Sequence, residues 1–217
     1  LVMTAALHAA VSGLCGLTVG MDPVNTEEVG SRLFRAAGSG SPAGLVTRAI
    51  SAIDVALWDI KGKALGQPVY KLLGGYRDRV PAYASGYLWR SFDLDMLAAH
   101  GKRLVSEGFT SMKFRLGAEE TIAGEIARLR AMRDAVGPDV ELMIDINQLW
   151  DVNRAITIGR EMRDYGISWL EDPTTFDDYG GLAKIAAALD TPITAGEYVY
   201  GIAPFTQLIE HQSVDIV

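Results

Sequence analysis

From residue 80 onward, short apolar runs alternate along the chain with longer amphipathic segments. The apolar runs predict strands at 80–88, 110–116, 140–147, 167–171, 192–197 and 214–217. The segments between them predict helices at 93–107, 119–136, 153–165, 178–189 and 204–211. This alternation indicates an α/β fold with right-handed βαβ crossovers and a parallel sheet. A doubly wound sheet and a (β/α) barrel both fit the pattern.

The first 79 residues follow a different pattern, in which helical segments predominate. Residues 22–37 and 43–65 are predicted helices, and "GSGSP" at 38–42 predicts a flexible connection between them. In the second helix, apolar residues at three- and four-residue steps predict one buried face, formed by Ile50, Ile53, Ala56, Leu57 and Ile60. The change of pattern near residue 80 divides the chain into 1–79 and 80–217.

Residues 1–20, "LVMTAALHAAVSGLCGLTVG", contain no Asp, Glu, Lys or Arg. They lack the basic start of an export signal, contain three glycines, and lead into the polar stretch "MDPVNTEEVGSRLF". We therefore interpret them as a buried helix rather than as a membrane or signal segment.

Composition narrows the class of protein. The chain has 217 residues, of which 49% are hydrophobic and 22% are charged, as is typical of a globular protein with a substantial core. The formal net charge of −7 argues against nucleic-acid binding, which depends on clustered Lys and Arg. Cys15, the single cysteine, excludes an intrachain disulfide and suits a reducing cytoplasm. We expect no nucleic acid and no membrane partner.

Three of the predicted strands end in acidic residues. Asp145, Glu171 and Glu197 follow one another at intervals of 26 residues, which is one strand-helix unit. Consecutive parallel strands would bring the three carboxylates together, where they repel one another unless a cation lies between them. Ligands that are all oxygen favour Mg²⁺ over Mn²⁺. Two neighbouring acids are interpreted otherwise: Asp172 starts the loop before Pro173, and Asp151 caps the next helix.

The sequence resembles the enolase superfamily, and within it the mandelate racemase-like branch. The longest match is "AISAIDVALWDIKGKALGQPVYKLLGG" at 49–75, and Asp145, Glu171 and Glu197 match the Mg²⁺ ligands of that family. The resemblance implies a (β/α) TIM-type barrel preceded by an α+β capping domain. Residues 1–79 would be the helical C-terminal part of the capping domain. Residues 80–217 would be the first five and a half βα units of an incomplete barrel with about six strands.

The resemblance also implies residues that contact the substrate. Glu at the third ligand position points to the racemases and acid-sugar dehydratases rather than to the muconate cycloisomerases. Asn147 fits the same branch, in which an Asn at this position lies near metal and substrate. Tyr83 and Ser85, in "AYASGY", resemble a segment that binds substrate.

Lys113 and Arg115, in "SMKFRLG", end the second predicted strand and point to the same side of it. In the family this position carries a Lys-x-Lys pair whose second lysine is generally the base. Arg115 puts an always protonated group there. Arg115 would then stabilise the substrate carboxylate or the enediolate while another residue takes the proton. Alternatively, Lys113 acts as the base with its pKa lowered by the guanidinium, or both cations simply neutralise the acids.

The implied activity is Mg²⁺-dependent removal of the proton α to a carboxylate, leading to dehydration of a sugar acid. Racemisation or epimerisation of an α-hydroxy acid is the alternative within this chemistry. A catalytically inactive fragment or scaffold is the alternative of another class, because the family's partner acid or base lies on strands beyond "SVDIV". His8, His100 and His211 are interpreted as structural or solvated. A homo-oligomer is expected from the family.

Overall fold

The computed structural model describes residues 2–38 and 43–217. Most of the predicted connection "GSGSP", residues 39–42, lies outside the described residues. The chain forms two compact units, Leu1–Val80 and Pro81–Val217. The assignment of these two parts to a capping domain and a barrel remains a prediction.

The first unit is helical. Its helices are α1 (Val2–Cys15), α2 (Thr26–Ala37), α3 (Gly44–Leu65) and the short α4 (Val69–Leu72). The core of the unit is a cluster from α2 and α3, formed by Val29, Leu33, Ile50, Ile53 and Leu57. The predicted apolar face of α3 is therefore present in part.

Two expectations about burial in this unit are wrong. α1 is a helix, but most of its described side chains are exposed, because only one side, including Val11 and Leu14, packs against the α2 and α3 cluster. Ala56 and Ile60 of α3 are also exposed, since they lie at the edge of its apolar face. No helix in the described ranges combines the length and apolar character needed to span a lipid bilayer.

The second unit is an α/β structure with a parallel sheet, as predicted. Its strands are β1 (Ser111–Arg115), β2 (Glu141–Asp145), β3 (Ile167–Glu171) and β4 (Ile193–Thr194), in the order β1-β2-β3-β4. One helix, α5 (Leu94–Ser106), precedes β1, and one follows each strand in turn: α6 (Ile122–Val136), α7 (Val152–Glu161), α8 (Tyr179–Ala188) and α9 (Ile202–Glu210). Asp151 caps α7 by accepting a hydrogen bond from the Arg154 N–H, as predicted.

The two outermost predicted strands are reduced to isolated bridges. Ala84 pairs in parallel with Met112, and Ile216 with Thr194. Gly86 (φ +93°) turns the chain away from an extended path soon after Ala84, and Gly196 (φ +151°) does so after β4. The described sheet therefore has four strands where six were predicted, and β4 is shorter than 192–197.

β2 lies at the centre of the core and sets the position of the site. Leu142, Met143, Ile144 and Asp145 are all buried, so both faces of the strand are covered, as in parallel sheets generally. At the amino ends of β2 and β3, the Arg133 guanidinium donates to four backbone carbonyls, those of Gly137, Val140, Tyr165 and Gly166. The opposite, carboxyl edge carries the ionisable side chains.

Replacement of Ile144 by Ala tests the central position of β2. Ile144 is fully buried, so Ile144→Ala should lower the free energy of unfolding by about 2–5 kcal/mol through lost burial and a cavity. The matched control is Ile202→Ala, because Ile202 is 85% exposed and should change stability by less than about 0.5 kcal/mol. Urea denaturation measures both, and equal losses would contradict the assignment of β2 to the core.

Candidate metal and carboxylate site

The strand register brings the acidic and basic residues together at the carboxyl edge of the sheet. Asp145 ends β2 and lies opposite Arg115 of β1 on one side. On its other side, Asp145 lies opposite Glu171, which ends β3. Side chains that the sequence places 26 or 30 residues apart are thus neighbours across the ladder.

Three carboxylates form a close cluster at this edge. One oxygen each from Asp145, Glu171 and Asp172 lies within 4.8 Å of the others. Asp145 and Asp172 are each 1% exposed, and the Asp172 Oδ2 atom is buried with no hydrogen-bond partner. Asp172 has φ +43°, which interrupts the alternation of side chains beyond β3. Asp172 starts the loop after β3, as predicted, and its carboxylate also lies within the cluster.

Burial and mutual repulsion disfavour the charged forms of these acids. Burial, followed by the charges of Glu197, Asp145 and Glu171, raises the pKa of Asp172 to about 7. Burial and the Glu171 charge also raise the pKa of Asp145, against the opposing effect of Lys113 and Arg115. A cation among the carboxylates would relieve both penalties.

Lys113 is paired with Glu171. Its Nζ atom lies 2.6 Å and 2.7 Å from the two carboxylate oxygens of Glu171, and 4.0 Å from Asp145 Oδ2. Burial lowers the pKa of Lys113, but the hydrogen bond and charge of Glu171, with Asp145, outweigh it and raise that pKa overall. The expected lowering by the neighbouring guanidinium is therefore not found.

Arg115 points toward β2 instead. Its Nη1 atom donates to Asn147 Oδ1 and lies 3.6 Å from Asp145 Oδ2. The guanidinium also lies over the Trp89 ring, 5.1 Å from its centroid. The nearest acid of the cluster is thus Glu171 for Lys113 and Asp145 for Arg115.

Asn147 connects the acids to one another. Its backbone N–H donates to Asp145 Oδ1 and its Nδ2 atom to Asp145 Oδ2, both at 2.9 Å. The same Nδ2 lies 3.5 Å from Glu197 Oε1. Glu197 is exposed and lies outside the closest cluster, although its charge acts on Asp172. Its role as the third metal ligand remains a prediction.

A cavity of about 470 Å³ adjoins the acids, and Tyr83, Trp169, Glu171, Asp172 and Glu197 are among the residues that line it. The Tyr83 and Trp169 rings meet edge to face at 5.6 Å, and Trp169 Nε1 donates to Glu171 Oε2 at 3.3 Å. Ser85 is exposed beside Ala84. The structure thus places Tyr83 in the cavity wall, and the substrate contacts of Tyr83 and Ser85 remain predictions.

The histidines have other surroundings. His100 packs against the Phe92 ring at 4.7 Å, and His211 Nδ1 lies 3.0 Å from the Gln207 carbonyl oxygen. His8 is exposed on α1. The carboxylate cluster contains no histidine.

Sequence reasoning missed two residues of the site. Asp172 carries no signal except its position beside Glu171. Arg90 has no sequence signal either, although it donates hydrogen bonds to the backbone carbonyls of Leu116 and Asp145 and to Asn147 Oδ1. A single basic residue in a loop gives no indication of partners so far along the chain.

Comparison with known proteins identifies relatives of both units. A family model described as mandelate racemase / muconate lactonizing enzyme, N-terminal domain, matches residues 4–74, and one described as enolase C-terminal domain-like matches residues 96–217. Among curated proteins, L-talarate/galactarate dehydratase of Salmonella typhimurium strain LT2 is 36% identical, over 97% of this chain and 53% of its own length. D-galactarolactone cycloisomerase of Agrobacterium fabrum is 34% identical, over 96% and 56%.

A solved structure extends the likeness to the fold. L-talarate dehydratase from Polaromonas sp. JS666, complexed with Mg and L-glucarate, superposes with a TM-score of 0.89 at 33% identity, covering 98% of this chain and 60% of that one. Matched relatives also include an epimerase and a racemase. The chain spans about half the length of the curated relatives it matches.

Asp172→Asn tests the repulsion within the cluster. In metal-free protein at pH 8 the substitution should raise the free energy of unfolding by roughly 1 to 4 kcal/mol, because each unit of raised pKa corresponds to about 1.4 kcal/mol. Asp177→Asn is the matched control, since Asp177 is exposed, and it should leave stability unchanged. Thermal or urea unfolding with a chelator present measures the effect, and a loss of stability in Asp172→Asn would contradict the repulsion.

Proposed function

The chain belongs to the mandelate racemase/muconate lactonizing enzyme family of the enolase superfamily, and on that premise we propose that it acts in the Mg²⁺-dependent dehydration of a sugar acid. The observation that carries the proposal is the cluster of buried carboxylates facing two cations at the carboxyl edge of a parallel sheet. The named dehydratases among its relatives support the substrate class.

The cluster fits a hard divalent cation. Its donors are all oxygen atoms, the acids are crowded, Asp145 and Asp172 are buried, and Asp172 Oδ2 lacks a hydrogen-bond partner. We propose Asp145, Glu171 and Glu197 as the residues that hold Mg²⁺, with Asp172 beside them. Bound there, Mg²⁺ would act as a Lewis acid on the substrate carboxylate and so acidify the α-proton.

The two cations of β1 are proposed to have different roles in the reaction. Arg115 is held by Asn147 and the Trp89 ring, so its fixed positive charge suits stabilisation of the enediolate rather than acceptance of a proton. The α-proton then passes to another base, and the β-hydroxyl group takes up a proton and leaves as water. Lys113, paired with Glu171, is the alternative base. Tyr83, Ser85 and Asn147 are proposed to contact the substrate.

Racemisation or epimerisation shares the first step and differs in the second, because the proton returns to the α-carbon instead of the hydroxyl leaving. A racemase and an epimerase among the relatives favour this second candidate. The formation of a 3-deoxy-2-keto acid distinguishes dehydration from it. An inactive scaffold would bind metal without exchanging the α-proton. The cytoplasmic location and homo-oligomeric state remain predictions.

A pair of charge-matched variants tests the metal ligands. At pH 8, above the raised pKa of Asp172, Glu197→Gln and Asp172→Asn each remove close to one negative charge, so a purely electrostatic effect on Mg²⁺ affinity should be similar in both. A ligand loses more, and we expect Glu197→Gln to weaken Mg²⁺ binding at least about tenfold beyond Asp172→Asn. Isothermal titration calorimetry measures this, and the reverse order would make Asp172 the third ligand.

Exchange of the substrate α-proton tests the roles of the two cations. With galactarate in D₂O, Arg115→Met should slow exchange by about a hundredfold or more through lost charge stabilisation, and Arg115→Lys should retain most of it. Lys184→Met, on the exposed surface of α8, is the control. Proton NMR follows the reaction. Loss of exchange in Lys113→Met but not in Arg115→Met would identify Lys113 as the base. Full exchange in both Lys113→Met and Arg115→Met would contradict a role for either residue in this step.

A further inference from the structure

Arg90 joins three groups at the carboxyl edge of the sheet. This half-buried side chain donates from Nε to the backbone carbonyl of Leu116, just beyond β1. Its Nη2 atom donates to the backbone carbonyl of Asp145 at 3.1 Å and to Asn147 Oδ1 at 2.8 Å. Arg90 therefore contacts both the ends of neighbouring strands and a side chain that touches the carboxylates.

The Asn147 side-chain oxygen accepts hydrogen bonds from two guanidinium groups, those of Arg90 and Arg115. A guanidinium has donors and no acceptor, whereas the Asp145 carboxylate is an acceptor when ionised. A flipped amide would therefore direct its N–H groups at donors and its oxygen at Asp145. The two arginines thus leave only one favourable orientation, in which Nδ2 faces Asp145 Oδ2 and Glu197 Oε1.

We propose that Arg90 is a positioning residue, which acts through Asn147 to hold the Asp145 carboxylate in the geometry that binds the cation. The inference rests on the proposed function in so far as the carboxylates bind a metal. It also limits Asn147 to a donor, because its oxygen is already occupied by the two arginines. Asn147 would then contact a substrate only through its Nδ2 atom.

If Arg90 only linked neighbouring strands, its substitution would have a different effect on metal affinity. Arg133 has such a linking role, since this half-buried guanidinium donates only to backbone carbonyls at the amino edge of the same sheet. Lysine keeps the charge of either residue but cannot reach all the acceptors of a guanidinium. Arg90→Lys and Arg133→Lys are therefore a matched pair.

The first measurement is Mn²⁺ affinity, determined by calorimetry on the whole chain. Loss of a contact that orients a metal ligand typically weakens binding by 10- to 100-fold, so Arg90→Lys should bind Mn²⁺ at least about tenfold more weakly. Arg133→Lys should bind it as the unsubstituted chain does. Equal affinities in the two variants would overturn the inference.

A double-mutant cycle shows whether Arg90 acts through Asn147. Asn147→Gly removes the amide and tolerates the positive φ of +49° at this position. If Arg90 affects the Asp145 carboxylate through Asn147, Arg90→Lys should change Mn²⁺ affinity by less than about twofold in the Asn147→Gly background. Fully additive losses would overturn the inference.

A metal-free measurement separates this inference from the proposed function. In ¹⁵N-labelled protein with a chelator present, the Asn147 Nδ2 resonances, identified by their absence from Asn147→Gly, should shift in Arg90→Lys and not in Arg133→Lys. If the unsubstituted chain binds no Mn²⁺ but this shift is present, the proposed function fails and the orientation of Asn147 by Arg90 stands. If Mn²⁺ binds and the shift is absent, the inference fails and the proposed function stands.

Discussion

Repulsion between carboxylates held at close range is the constraint on which the rest of this site depends. Asp145, Glu171 and Asp172 are drawn together by strand ends, and burial raises the electrostatic cost of their charges. The surrounding side chains compensate in part: Lys113 pairs with Glu171, and Arg115 and Asn147 contact Asp145. A site built in this way retains a strong local preference for a further cation.

The sheet supplies the rigidity that such crowding requires. β2 is covered on both faces, and its last residue is held in register with both neighbouring strands. Half-buried arginines bind backbone carbonyls at both edges, Arg133 at the amino ends and Arg90 at the carboxyl ends. The strand ends that carry Asp145 and Glu171 therefore cannot move apart without disturbing the core.

The elements that could be predicted are those in which local pattern and topology agree. The apolar runs located β1 to β4, and parallel order with the 26-residue interval indicated that Asp145 and Glu171 would be neighbours. The remaining features depend on contacts that periodicity does not encode. The positive φ of Asp172 redirects a side chain that alternation would turn away, and Arg90 meets partners 26 to 57 residues distant. Whether the apolar side chains of α1 are buried depends on which elements pack against the helix, and its composition does not reveal this.

The amide oxygen shared by two guanidinium groups also bears on how this site could evolve. Arg90, Arg115 and Asn147 form a connected set, because the Asn147 side-chain oxygen accepts hydrogen bonds from both guanidinium groups. A change from arginine to lysine at position 115, a small step in the genetic code, would leave the amide with one guanidinium and alter the surroundings of Asp145. A substitution at position 115 would therefore change the selection that acts on positions 90 and 147.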